Sequence, residues 1–230
     1  DYAWMVDDVA FAETPNNLIN IDNETFGGWW VGYQSSGDIG IDYTFNPMHQ
    51  VMSMPYRFES VISNDGISIQ NNVKMHVNVI DAGGGSYSFS SSPMTLYSMT
   101  NDTVVTTSDF TPSSPGIHQI DFWASSDAFP TTDTIGRTTI VTDTVYGVDF
   151  DWNNDGQNAE GGYYLGRECG GQVLGNAFDV YANGQATSIS FHVNDESVPG
   201  AEVKVELYEI YDIKPSVKFF LFDGYIFISL

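Results

Sequence analysis

Positive charge is scarce in this sequence: 7 Lys and Arg stand against 30 Asp and Glu in 230 residues, a formal net charge of −23. Nucleic acid and anionic membrane surfaces are gripped by clustered Lys and Arg, so neither is expected as a partner. Cysteine occurs once, as Cys169, which excludes an internal disulfide framework. No apolar run reaches the roughly 18 residues of a membrane-spanning helix. The apolar tail LFDGYIFISL is short and interrupted by Asp223, and no membrane insertion is expected. Helical periodicity is missing as well: no window of about a dozen residues sustains apolar positions at i, i+3, i+4 and i+7. Catalytic signatures are equally wanting. There is no G-x-S-x-G, no H-E-x-x-H and no glycine-rich loop opening a helix, so no enzymatic activity is expected.

What remains is polar, aromatic and β-branched. Charged residues make up only 16% of the chain, which leaves Ser, Thr, Asn, Gln and Gly to cover most of the surface. Such acidity suits a secreted protein in a salty medium, where self-repulsion is screened, or one that binds divalent cations; it also serves solubility alone. Runs of four to eight alternating residues recur, punctuated about every ten residues by Gly, Asn, Asp, Ser and Pro, the spacing of an all-β sandwich. In Val73–Val79, Val73, Met75, Val77 and Val79 are expected inside, with Lys74, His76 and Asn78 outside. Asn64-Asp65-Gly66 reads as a turn, Gly83-Gly84-Gly85 as a flexible loop, Ile117–Trp123 as a strand and Arg137–Tyr146 as the strand that closes the unit. Thr14–Asn17 reads as a boundary. Further strands are expected at Val173–Val180, Thr187–Val193 and Val203–Ile210. The tail 211–230 is either one more hairpin around Asp223-Gly224 or a segment foreign to the module before it.

Three groups of residues are candidates for site chemistry. Asp149, Asp151, Asn153, Asp155 and Gly156 place oxygen ligands at alternate positions ahead of a glycine, as a calcium loop does, with Glu160 as the nearest closing carboxylate. The Glu stands two positions early for an EF-hand and no helices flank the loop, so an Asx-rich turn between domains is the competing reading. Trp29 and Trp30, with Trp123, are either packed under sheets or form an exposed aromatic platform for sugar rings. The histidines His49, His76, His118 and His192 stand apart in sequence, within or beside apparent strands, and are expected on the surface.

The opening YAWMVDDVAFAE resembles the last strand of a jelly roll of the cleaved-adhesin and MAM-like type. The run from Leu18 to Tyr146, with ESVISNDG, GIHQIDFWASSD and TTIVTDTVYG, is similar to immunoglobulin-like modules of the CARDB and fibronectin type III kind. YYLGRECGGQVLGNAFDVYANGQATSISFHVNDESVPGAEVKVELYEI resembles the small β-domain that follows such modules in large surface proteins of Bacteroidetes-type bacteria, often exported by the type IX system. The resemblance implies an all-β chain with an Ig-like antiparallel β-sandwich at 16–146. The terminal strand of a jelly-roll domain at 1–15 would precede it, and a second small β-domain at 147–230 would follow. It also implies an extracellular or cell-surface location, a part in a longer chain and no catalytic residues. Asp7 and Asp8 would help to hold a structural calcium. The expected function is a structural and adhesive module that spaces or joins domains, with other domains, copies of the same protein, or a cell-surface glycan or protein as partners. The alternative is a glycan-binding accessory module of a secreted hydrolase.

Overall fold

Alternation in sequence becomes alternation of burial. Along Gln70–Ile80, Val73, Met75, Val77 and Val79 are fully buried, while Lys74, His76 and Asn78 remain partly exposed. The computed structural model describes residues 13–25, 43–147, 177–189, 205–210 and 219–224. Its elements in chain order are β1 (Ile19–Thr25), β2 (Phe45–Pro47), α1 (Met48–Ser53), β3 (Glu59–Asn64), β4 (Gln70–Ile80), β5 (Ser86–Ser90), β6 (Met94–Leu96), β7 (Thr100–Val105), β8 (Gly116–Ser125), β9 (Ile135–Thr142), β10 (Ala177–Asp179), β11 (Val205–Ile210) and β12 (Phe219–Gly224).

The chain is an all-β sandwich. One sheet has the order β1-β3-β7, and the other runs β2-β9-β8-β4-β5 with β6 on the end of β4. Equating β1, β3 and β7 with strands A, B and E, and β4, β8 and β9 with C, F and G, gives the two-sheet order of an immunoglobulin-like sandwich. The pairings within these sheets are antiparallel with one exception. β2 runs parallel to β9, with Phe45 opposite Ile140 and Pro47 opposite Thr142, at the edge of an otherwise antiparallel sandwich. Pro47 lacks a backbone N–H and could not sit in a central strand, so β2 is short and lies at the sheet edge.

The core fills the space between the sheets. Ile19, Ile21, Phe58, Ile62 and Val104 from one side meet Val73, Met75, Val77, Val79, Ile120, Phe122 and Ala124 from the other. The Phe58 ring lies edge-on to Phe122 at 5.8 Å, and Ser60 Oγ donates to Met75 Sδ at 3.0 Å, satisfying a hydroxyl that is otherwise sealed from water. Arg137 on β9 reaches Glu24 on β1 at 2.6 Å, an ion pair across the sandwich.

Several local expectations need correcting. The triple glycine is a hairpin turn closed by Asp81: Asp81 N donates to Gly85 O at 2.9 Å, Gly85 N donates to Asp81 Oδ1 at 2.7 Å, and Gly84 takes φ +83. Of the strands expected at Val173–Val180 and Thr187–Val193, Ala177–Asp179 is β10 and residues 187–189 carry no strand, while 173–176 and 190–193 lie outside the described residues. In the tail, β12 pairs antiparallel with β11 from Ile210 opposite Phe219 to Val205 opposite Gly224. Asp223-Gly224 thus lies within a paired strand rather than at a hairpin tip. β12 also pairs with β10, completing a second, three-stranded sheet. Asn64-Asp65-Gly66 does turn, with Gly66 N donating to Asn64 Oδ1 at 3.1 Å.

Candidate functional site

Pro47 starts a helix of only six residues, with no side-chain cap and with Gln50 and Val51 turned inward. A helix this short leaves most of its backbone groups without an internal partner and depends on what it packs against. Its partner is the segment that follows β10. The Gln50 side chain, 6% exposed, accepts from Tyr181 N at 2.8 Å and from Ala182 N at 3.0 Å through Oε1. It donates from Nε2 to Ala182 O at 2.8 Å. One glutamine thereby satisfies three backbone groups of a chain segment 132 residues away, as a strand partner would. Nε2 also lies 2.9 Å from His49 Nε2.

Beside this clasp, Phe178 of β10 packs against two tyrosines of the sandwich. Its ring stacks on Tyr43 at 5.7 Å and meets Tyr146 at 5.1 Å, while Tyr43 and Tyr146 touch edge-on at 4.7 Å. The backbone of Tyr43 is held by Thr139 of β9. Thr139 Oγ1 donates to Tyr43 O at 3.1 Å, and Asn46 Nδ2 donates to both Tyr43 O and Thr139 Oγ1 at 3.0 Å. Backbone bonds of 3.0 Å in both directions between Phe45 and Gly147 bring the start of β2 and the stretch after β9 together. Clasp and aromatic cluster form one joint between the sandwich and residues 177–189.

Directly opposite Thr139 in the β8–β9 register stands His118. It is fully buried, which corrects the expectation of a surface histidine. Its Nε2 donates to Ser114 O at 3.2 Å, and its Nδ1 has no hydrogen-bond partner. Burial holds its pKa below the usual histidine value, against smaller opposing effects of the Ser114 bond and of Asp81. Asp81 itself is held below the ordinary carboxylate range, chiefly by the Gly85 N–H and further by Ser113 and Tyr87.

The outer face of the larger sheet carries a second feature. Trp123 of β8 stands opposite His76 of β4, and their rings stack at 5.5 Å with planes 17° apart. His76 Nε2 lies 2.8 Å from Ser125 Oγ. Burial, with Lys74 adding to it, lowers the His76 pKa. Along the same strand pair Asp121 faces Asn78 and Gln119 faces Ile80, with Ser88 and Ser86 beyond on β5. The face is mostly polar, with one half-buried indole and the exposed side chains of Ile80 and Ile117.

Of the residues singled out from sequence, Trp123 lies in this face. Asp149, Asp151, Asn153, Asp155, Glu160, Asp7, Asp8, Trp29 and Trp30 lie outside the described residues. Among the described residues no group of three or more His, Cys, Asp or Glu converges where a metal ion could sit. No described helix is long and apolar enough to cross a membrane. Sequence reasoning missed Gln50, Thr139 and Asp81. Asp81 alone carried a local signal, since an Asp four residues before the last of three glycines is placed to close a turn.

Strand order and core define an all-β sandwich module with a joint at one edge. No protein-family model and no curated protein matches the sequence. Among solved structures the chain is similar to a family 123 glycoside hydrolase from Clostridium perfringens, at 11% identity and a TM-score of 0.36 over 56% of this chain. The match spans 28% of the length of that hydrolase. It is also similar to a Bordetella pertussis protein assigned as ApaA, at 10% identity and a TM-score of 0.32, over 56% of this chain and 97% of that one.

Proposed function

We propose that the chain is a structural and adhesive module of an extracellular, multidomain surface protein, and that its sandwich holds the following β-segment in a fixed orientation. The observation that carries this reading is the Gln50 clasp. A buried amide that satisfies three backbone groups of a distant segment is costly to open, because those groups would be left without partners. Packing of Phe178 against the touching rings of Tyr43 and Tyr146 adds to it. The scarcity of Lys and Arg and the single cysteine fit a chain working outside nucleic acid and lipid chemistry. Calcium at Asp149, Asp151, Asn153, Asp155 and Glu160 belongs to the same proposal, as a second brace on the connection that follows the sandwich.

Limited proteolysis tests the joint. Thermolysin cuts before aliphatic residues in mobile chain, and Ile189 is 38% exposed. Gln50→Ala should be nicked before Ile189 several-fold faster than the parent protein, with the sandwich core still intact. Equal nicking rates in the two proteins would rule the clasp out as a brace.

A second reading follows from the outer face. Trp123 with Asn78, Gln119 and Asp121 offers an aromatic surface next to amide and carboxylate groups, the combination that binds neutral sugar rings by stacking and hydrogen bonding. On this reading the module is a glycan-binding accessory. A glycan array read with the parent and with Trp123→Ala decides it: absence of binding at millimolar glycan, or binding indifferent to Trp123, removes it.

A further inference from the structure

We propose that acid releases the clasp between α1 and residues 181–184 through protonation of His49; the inference rests on the joint reading above and names its regulation. The Gln50 amide can face only one way. Its Oε1 lies on two backbone donors, Tyr181 N and Ala182 N, so a flipped amide would set its NH2 against two N–H groups. With the oxygen so placed, the two hydrogens on Nε2 point to Ala182 O and to His49 Nε2. His49 Nε2 must then be the nitrogen that carries the lone pair, with the proton of the neutral ring on Nδ1.

A proton added to that nitrogen sets donor against donor across 2.9 Å. The amide cannot turn to accommodate it, so the ring must leave. Its departure has a second consequence. His49 Nε2 also borders Gly184, where a Cβ would lie 3.5 Å from it, so the ring edge fills the space between Gln50 and the 183–184 backbone. Without the ring, water reaches a buried amide and competes for the bonds that hold Tyr181 and Ala182.

Residues 48–53 (MHQVMS) and 181–189 (YANGQATSI) contain no Asp, Glu, Lys or Arg, and His49 takes no part in the ion pairs among the described residues. The ring is exposed, so a proton reaches it without unfolding.

Amide hydrogen exchange of the intact chain, corrected for the intrinsic effect of pH, reads this directly. Protection of the Tyr181 and Ala182 amides should fall about fivefold between pH 7.5 and pH 5.5, the equivalent of one lost hydrogen bond. The Val77 amide in the core serves as reference. His49→Gln offers Gln50 an uncharged acceptor, so in that variant the fall should vanish. The proposal is overturned if protection at Tyr181 and Ala182 does not change with pH, if it falls equally in His49→Gln, or if in a His118→Gln background, which removes the global effect of acid, it falls no more than at Val77. Gln50→Ala at pH 7.5 separates the two levels. Undiminished protection there removes the joint itself, whereas lost protection there with no pH effect in the parent removes only the acid release.

Discussion

Gln50 and Ala182 are bonded twice, amide to peptide: Nε2 donates to Ala182 O at 2.8 Å and Ala182 N donates to Oε1 at 3.0 Å. The pair copies the two-way exchange of an antiparallel strand pair, with a side chain in place of one strand. Because Gln50 is buried, truncation to Ala removes these bonds and the one to Tyr181 N at once. Each stranded buried group costs on the order of 1–3 kcal/mol, less where the segment can swing out to water. Gln50→Ala should therefore loosen 177–189 while changing the unfolding midpoint of the sandwich little. A urea titration followed by exchange at Val77 and, separately, by exchange at Tyr181 should give two transitions in place of one.

His118 makes the sandwich acid-sensitive by a different route. Its Nδ1 has no partner and its ring is sealed, so the native state resists a proton that the unfolded chain accepts. The native pKa is depressed, so the unfolded state binds more protons as pH falls below about 6.5, and stability falls with it until the native pKa is reached. His76 contributes in the same direction and more weakly, being partly exposed. Asp81 adds its own loss only in the still more acidic range where carboxylates protonate. His118→Gln keeps a donor for Ser114 O and cannot titrate, so most of the stability difference between pH 7.5 and pH 5.5 should disappear in that variant. A slope unchanged by the substitution would refute the assignment. The effect is global, which distinguishes it from the local release at His49.

The sheet that forms the core was legible because half-buried strands write their geometry into alternate residues, as Val73, Met75, Val77 and Val79 do. The same rule should have exposed His118. It stands in phase with Ile120 and Phe122, and only the expectation that a lone histidine faces water placed it outside. The joint left no comparable trace. α1 has six residues, too few for a helical period, and Gln50 meets its partners across 132 positions, so no local window contains both halves. The parallel pairing of β2 with β9 and the return of β12 to β11 are likewise long-range choices that turn chemistry does not fix. As for site chemistry, Trp123 is placed by the structure, while the calcium loop and the Asp7-Asp8 pair lie outside the described residues.

Two glycines that look alike in sequence should respond differently to a methyl group. Gly84 has φ +83, and nothing lies within 4 Å of where its Cβ would be, so Gly84→Ala meets only backbone strain, about 1–2 kcal/mol. Gly116 has φ +132, and its Cβ would sit 2.6 Å from the Ala82 Cβ, so Gly116→Ala adds a collision between the start of β8 and the Asp81 turn. The second variant should be the less stable by at least about 1 kcal/mol in a urea titration. Ala82→Gly in the Gly116→Ala background should relieve the collision and leave the strain. Failure of that rescue would mean that the close approach of these two loops is not what demands glycine.

The proposed calcium loop carries a thermodynamic sign that needs no view of the site. An ion that binds the native state and not the unfolded chain must raise stability, by about 2.7 kcal/mol when free calcium exceeds the dissociation constant a hundredfold. Chelator should therefore lower the melting temperature and added calcium restore it, whereas magnesium, which demands a tighter octahedron and keeps its waters, should restore less. Asp151→Asn together with Asp155→Asn removes charge from the alternate positions and should make the melting temperature indifferent to chelator. The exchange rates at Tyr181 and Ala182 then decide whether the ion shares in the joint. If calcium braces the connection that follows the sandwich, chelation should speed exchange at these amides in the parent and not in the double variant. A melting temperature unmoved by chelator in the parent removes calcium from the proposal and leaves Gln50 and Phe178 as the brace.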